Sequence, residues 1–450
     1  MLIPISSKKR DALLALIFFI LNAVLILTPT GFEAHQDERA EQVEGRIASV
    51  DDSGIRQFGI VKTGAQTLEI ELLGGKDKGK TVQAINTLLG KLEMDKMFVP
   101  GDRAFVVVSR DDEGRIAFVN PIDHYRLDLE FLLFGLFAAM LLVYGGLTGV
   151  KALLSFGFSA LVIWKVLIPS FLKGYDPILV SLGCVTVMTG CIIFLIGGLT
   201  RKGATSFIGS MLGVVTAAAL AEVFTGAFHI HGAIKPFAES LLYTGYAGLN
   251  LREIFVSAVF IGCCGAMMDL SMDVAASIEE VANCNPDLTR RELFGAGIRV
   301  GRAVVGTMTT TLLFAYSGGY ITLLMMFMAQ GVPISNLLNL IYVAAEVLNT
   351  LVGSFGLVMV APFTALIGAA LFGGAGAHGK AACGRSRSRS FEVEASVFGF
   401  QAGDKVAAGM VLGADAATGE KVVASAAGRI RSVAFDPSNK SLMVTVEEGA

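Results

Sequence analysis

From Leu127 to Phe372 the chain is almost continuous hydrocarbon, with apolar runs of about twenty residues separated by short polar breaks. Runs of that length match the thickness of a bilayer core, and several in succession exceed what one soluble core can bury. The predicted spans fall near 129–148, 152–172, 177–199, 203–224, 253–274, 303–328 and 337–372. The last is too long for one crossing and is read as a re-entrant piece, 337–350, followed by a span over 354–372. Gly318-Gly319 marks 303–328 as a candidate broken helix, a device tolerated only where protein or water covers the backbone.

Composition supports this class. Of 450 residues, 53% are hydrophobic and 17% charged, the net charge is −3, and the mean hydropathy is +0.64. That balance excludes a disordered chain and a basic nucleic-acid binder. Lys8-Lys9-Arg10 before the apolar run Ala12–Leu27 reads as an uncleaved N-terminal anchor, because no small-x-small cleavage site follows. With it the expected number of spans is about eight.

Residues 31–126 are different material. Alternation in Glu69-Ile70-Glu71-Leu72 and Arg103–Val108, punctuated by Gly74-Gly75, Pro100-Gly101-Asp102 and Asp112-Glu113-Gly114, predicts a small β barrel or sandwich outside the membrane. Lysine and arginine counts orient the chain. Lys151, Arg201, Lys202, Arg290, Arg291, Arg299 and Arg302 fall in loops on the N-terminal side, against Lys173, Lys235 and Arg252 on the other. Both termini are therefore expected in the cytoplasm and the β-rich segment outside.

Ionisable groups inside spans are costly in hydrocarbon and are the first candidates for function. Asp269 and Asp273 are four apart and share a helix face. Arg299 and Arg302 enter the next span from the same side and are their expected charge partners. The competing reading is a set of structural salt bridges. Glu222, Glu346 and Asn349 are further candidates for a solute or ion pathway, and Lys165 is expected to snorkel. His229-x-His231 is a weak metal signal. Gly297-x-x-x-Gly301 permits close helix contact. Six cysteines, two of them vicinal at Cys263-Cys264, read as buried apolar side chains. No nucleotide-binding loop or hydrolase motif is present, so no catalytic residue, metal or cofactor is assigned and enzymatic activity is not expected.

The run Gly265–Ile278, followed by Asn285-Pro286, Glu292-Leu293 and Gly301-Arg302-x-x-x-Gly306-Thr307-Met308-x-x-Thr311-Leu312-x-x-Ala315-Tyr316, resembles the YibE/F membrane-protein family. The resemblance covers roughly 1–372. It implies a multi-pass, permease-like protein of the bacterial plasma membrane with no established substrate, and the family name implies paired membrane subunits. It assigns no site residues.

After a linker at 373–390, residues 391–450 read as short strands: Phe391–Ala395, Gly403–Leu412, Val422–Ile430 and Ser441–Val446. This stretch resembles the barrel-sandwich hybrid of biotinyl/lipoyl-type domains. Lys421 stands in Gly419-Glu420-Lys421-Val422 without the Met-flanked hairpin tip that modification requires, so an unmodified docking module is expected. The expected whole is a helical membrane bundle (127–372) carrying an anchor (1–30), an outer β domain (31–126) and a cytoplasmic β module. Its expected contacts are membrane lipid, a homologous subunit or second copy, and a small solute or ion.

Overall fold

The structure is a computed structural model, which describes residues 7–33, 39–285, 288–373, 387–394, 404–414, 421–424, 427–436 and 441–448. The chain divides into two compact units, one of Met1–Met272 with Arg302–Thr364 and one of Asp273–Gly301 with Ala365–Ala450.

Helix α1 spans Ser7–Leu27. Strands β1 (Ala40–Asp51), β2 (Ile55–Phe58), β3 (Val61–Leu72), β4 (Thr81–Leu89), β5 (Arg103–Arg110) and β6 (Ile116–His124) follow. All the pairings are antiparallel: β1 lies between β3 and β5, β4 adds to β3, and β6 adds to β5. Strand β4 packs beside β6, so the ring closes as a small barrel around Ile47, Leu68, Ile70, Leu72, Phe98, Val106 and Val108. The alternation read in the sequence is the barrel's inside–outside period.

One polar side chain organises this core. Gln66 is fully buried; it donates to Asp52 Oδ1 (2.8 Å) and the Phe98 carbonyl (3.0 Å), and accepts from Asn86 and the Phe98 N–H (3.1 Å each). Gln66→Leu would orphan the Phe98 and Asn86 groups, at about 1–3 kcal/mol apiece. The expected result is a drop of about 3 kcal/mol in the opening free energy of the β3 and β4 amides by hydrogen exchange. Unchanged protection would mean that the network contributes nothing.

The barrel is fastened to the helix that follows it. Arg103 pairs with Glu44 of β1 and with Asp128 (2.8 Å), and lies over the Tyr125 ring at 4.9 Å, while the Tyr125 N–H donates to the Arg103 carbonyl (2.8 Å). The bonds from Glu44 and then Asp128 hold its guanidinium pKa above the usual value. Asp128 and Glu130 sit in the first turn of helix α2 (Leu127–Val162), where acidic groups complement the helix dipole.

Helix α2 is not straight. Gly146 has φ +51° and ψ −126°, and the rings of Phe134 and Phe137 lie 6.4 and 6.1 Å from that of Phe156. Residues about twenty apart would be about 30 Å apart along one helix, so the chain doubles back at Gly146. Gly149, packed against the Leu141 carbonyl, has no room for a Cβ. The second arm continues through a π-helical turn, Ile163–Leu167, into α3 (Ile168–Leu172), where Pro169 accounts for the irregular turn. Helix α1 packs on this arm through Phe18 against Phe158 and Asn22 to the Leu154 carbonyl. Lys165 donates to the Thr28 carbonyl at the end of α1, at 2.9 Å.

The remaining helices are α4 (Pro177–Gly197), α5 (Arg201–Ala227), α6 (Ala238–Tyr243), α7 (Leu251–Cys284), α8 (Arg290–Ser317), α9 (Ile321–Ala329), α10 (Ile334–Asn339) and α11 (Ile341–Phe372). Among the described residues six helical stretches are long and apolar enough to cross a membrane, counting Leu127–Leu172 and Arg290–Ala329 as one each; Leu13–Leu27 is a shorter apolar helix. A 3-10 turn at Gly318–Tyr320 interrupts the stretch between α8 and α9.

Three boundaries differ from the sequence reading. Helix α7 runs ten residues past 274 and α8 begins thirteen before 303, because charged residues end a hydrophobic run without ending a helix. The division of 337–372 near 350 is also corrected. The break lies at Leu340, in extended conformation, and α11 runs unbroken from Ile341. Gly353 and Gly356, inside that helix, are packing positions.

Helix α5 owes its place to small residues. A Cβ on Gly209 would meet Thr364 at 2.1 Å, one on Gly213 would meet Val360 at 2.3 Å, and one on Gly356 would meet Met267 at 2.2 Å and Ala217 at 2.9 Å. Helices α5, α7 and α11 thus approach to near backbone contact, the packing mode open to membrane helices. Ser206 and Ser271 share a buried 2.7 Å hydrogen bond across the α5–α7 seam. In the other unit Gly297 makes the same kind of approach to Ala365 and Ile278, as its small-residue spacing predicted.

Strands β7 (Arg387–Glu394), β8 (Lys405–Val406), β9 (Val411–Ala414), β10 (Lys421–Val423), β11 (Gly428–Asp436) and β12 (Ser441–Glu448) form a four-stranded sheet, β7-β12-β11-β8, and a β9–β10 pair. Val406, Leu412, Ala424, Ile430 and Val444 are their common core. Most of the expected linker, and the stretches 395–403 and 415–420, lie outside the described residues.

Candidate functional site

Two polar regions lie within the helical bundle. The first is a face of α7. Gly262, Gly265, Asp269, Asp273, Ala276 and Glu280 are exposed at helical spacing while Cys263, Met267, Leu270, Val274 and Ile278 are buried. The two aspartates thus share the unburied side of a 34-residue helix, as their spacing required. On α8, Arg299, Arg302, Gly306 and Thr310 are likewise exposed. Neither arginine forms an ion pair among the described residues. The threonines of α8 satisfy themselves: Thr307, Thr309, Thr310 and Thr311 donate to carbonyls three or four residues back at 2.8–3.0 Å.

The second region is buried. Glu346, on the second turn of α11, is 9% exposed and accepts from the Lys235 ammonium, which reaches it from the loop between α5 and α6. Asn349, also 9% exposed, donates to its other oxygen at 3.3 Å. Among the described residues, the Asn349 side-chain oxygen and the Tyr316 hydroxyl are buried without a hydrogen-bond partner. Tyr320, at the end of the 3-10 turn, faces the same carboxylate. Glycine makes room for this arrangement: a Cβ on Gly262 would stand 2.9 Å from the Tyr316 hydroxyl, and one on Gly353 would stand 3.8 Å from its ring and 3.1 Å from Cys263. Tyr316 therefore occupies a slot between α7 and α11 that only glycines leave open.

The region combines one carboxylate, one cation and two buried polar atoms with unused hydrogen-bonding capacity. Orphaned groups of this kind are rare in packed interiors. They are the donor and acceptor that a small polar ligand or a water would meet beside Glu346.

Glu222 forms a third, simpler site. It pairs with Arg252 at the start of α7, which also donates to the Glu222 carbonyl at 3.3 Å, with Gly226 one turn on leaving the space. His231 accepts from the Ala233 N–H at 3.2 Å, bracing its own loop rather than joining His229. Among the described residues no group of three potential metal ligands occurs, and five cysteines are free.

The sequence singled out Glu346 and Asn349 but not Lys235, Tyr316 or Tyr320. Lys235 is 111 residues from its partner, and a lysine in a polar loop carries no mark of an inward-turned side chain. The glycines at 262 and 353 were the available signal, since each leaves a gap on its helix face that a neighbouring side chain can fill.

Neither a search of curated proteins nor one of solved structures found a match. A family model does match, over residues 133–374, more than half the chain and including both polar regions of the bundle. With its apolar helices and the 265–316 motif run, the chain belongs to the family described as YibE/F-like protein.

Proposed function

We propose that this protein is a permease or secondary transporter of the bacterial plasma membrane that moves a small solute or ion. The observation that carries the reading is Glu346, a buried carboxylate beside two unsatisfied polar groups, neutralised by a lysine on a loop. Intramembrane ionisable residues that are not locked into rigid structure mark substrate and ion paths. A loop lysine is a tethered cation: it can leave the carboxylate when a proton or a mobile cation takes its place. Asp269 and Asp273, on the exposed face of α7, are the further carboxylates of this reading, and Arg299 and Arg302, exposed on α8, are its cations.

In this reading the two arms of α2 each cross, which with α1, α4, α5, α7, α8 and α11 gives eight spans. Both termini are cytoplasmic and the barrel lies outside. The exposed polar face of α8 is poorly suited to lipid and fits a homologous subunit or a second copy. The two-sheet C-terminal module serves as an unmodified lipoyl-like docking domain. The second reading, a membrane scaffold whose β domains bind partner proteins, draws support from those two β domains.

Ion flux separates the two readings. Proteoliposomes holding the wild type should pass protons or sodium when a suitable solute pool is added. Glu346→Gln and the pair Asp269→Asn/Asp273→Asn should lose that flux while eluting as folded protein. Silence of the wild type across all pools would shift the assignment to the scaffold.

A further inference from the structure

The barrel carries an apolar tip. Phe58 and Ile60 stand on the β2–β3 hairpin, 68% and 79% exposed, and Leu89, Leu92 and Met94 leave the end of β4 at 64%, 65% and 51%. These are five large apolar side chains, in a domain whose interior is otherwise well filled.

The tip is built, not frayed. Phe58 pairs with Val61 across a two-residue turn whose first residue, Gly59, has φ +61°, the II′ pattern that projects the next side chain, Ile60, outward. Gly90 rests against Val61 and Thr63, so the exit of β4 lies beside the hairpin. Asp95 fixes the following loop by accepting from the Leu89 and Lys91 N–H groups at 2.9 and 2.8 Å. Those backbone bonds, led by that of Leu89, hold its carboxyl below the usual range. The charges around the tip are Arg56, Lys62, Lys91 and Lys96 against Glu93 and Asp95, a cationic balance.

Strand direction says which end of the barrel this is. With every pairing antiparallel, β1, β4 and β6 run one way and β3 and β5 the other. The end of β4 and the β2–β3 hairpin therefore share the barrel end from which β6 leaves for α2, only two residues after His124. The apolar tip lies at the end that feeds the bilayer.

We infer that this tip is a lipid-docking surface: Phe58, Ile60, Leu89, Leu92 and Met94 enter the interfacial zone of the adjoining leaflet, and Lys62 and Lys91 meet anionic headgroups. Apolar side chains flanked by lysine are the composition that binds such interfaces. The inference rests on the membrane assignment but not on transport.

Trp164 is the single tryptophan, so a Trp164→Phe background carries no tryptophan emission. In that background the full-length protein is made with Phe58→Trp, with Ile60→Trp, or with Glu113→Trp at the opposite barrel end, and reconstituted in phosphatidylcholine/phosphatidylglycerol nanodiscs. Phe58→Trp and Ile60→Trp should emit to the blue of Glu113→Trp and lose emission when the lipids carry brominated acyl chains. Lys62→Glu/Lys91→Glu should weaken that quenching. Solvent-like, unquenched emission from both tip variants would overturn the inference. So would blue-shifted emission without quenching, which would identify a protein partner or a second copy as the occupant.

Discussion

Gly356→Leu should leave almost no folded bundle. A Cβ at this position already meets Met267 at 2.2 Å and Ala217 at 2.9 Å, and the Gly213 carbonyl lies 3.2 Å away. Backbone on the facing helix cannot give way as a flexible side chain can, so α5 and α11 must separate. Overpacking of this kind costs about 3 kcal/mol or more. Gly213→Leu should match it, since both glycines serve one crossing. Gly306→Ala is the control: nothing lies within 4 Å of its Cβ, and the helix gains up to about 1 kcal/mol in propensity. Unfolding of the purified protein in detergent should show the first two destabilised and the third unaffected or improved. Equal midpoints for Gly356→Leu and wild type would mean that the helices do not cross there.

Lys235→Met should destabilise the protein by about 2–4 kcal/mol, although it removes a side chain that is 43% exposed. The cost arises at Glu346, whose carboxylate would be left buried beside Asn349. It falls short of the full penalty for an orphaned buried charge because water reaches the lysine's end of the pair. Adding Glu346→Leu should recover most of the loss, since an apolar pair of similar volume incurs no desolvation cost. A double-mutant cycle by detergent unfolding measures the coupling. If the two losses simply add, the pair is not an energetic unit and Lys235 has another role.

The elements that could be read from the sequence are those written in local pattern. Twenty-residue apolar runs and two-residue alternation report burial directly, so the bundle, the barrel and the shared face of Asp269 and Asp273 were all legible. Helix ends were not. Asp273, Glu279 and Glu280 are as helical as the leucines before them, and hydropathy marks where hydrocarbon stops rather than where hydrogen bonding stops. Gly353 and Gly356 show the same limit in reverse. Glycine in a helix reads as a weak point, yet here it is a surface against which another helix packs. The Glu346 region was legible only in part because its cation comes from a distant loop. The double-back at Gly146, by contrast, was implied by two adjacent predicted spans, and the Phe–Phe contacts give its geometry.

The Arg103 clamp has a mechanical consequence. Two residues separate β6 from α2, and the guanidinium spans both sides of that joint while stacked on Tyr125. A joint so short and so braced has no slack in which the barrel can tumble. Any push or twist delivered to the strands arrives at α2 as torque, with the barrel as its lever arm.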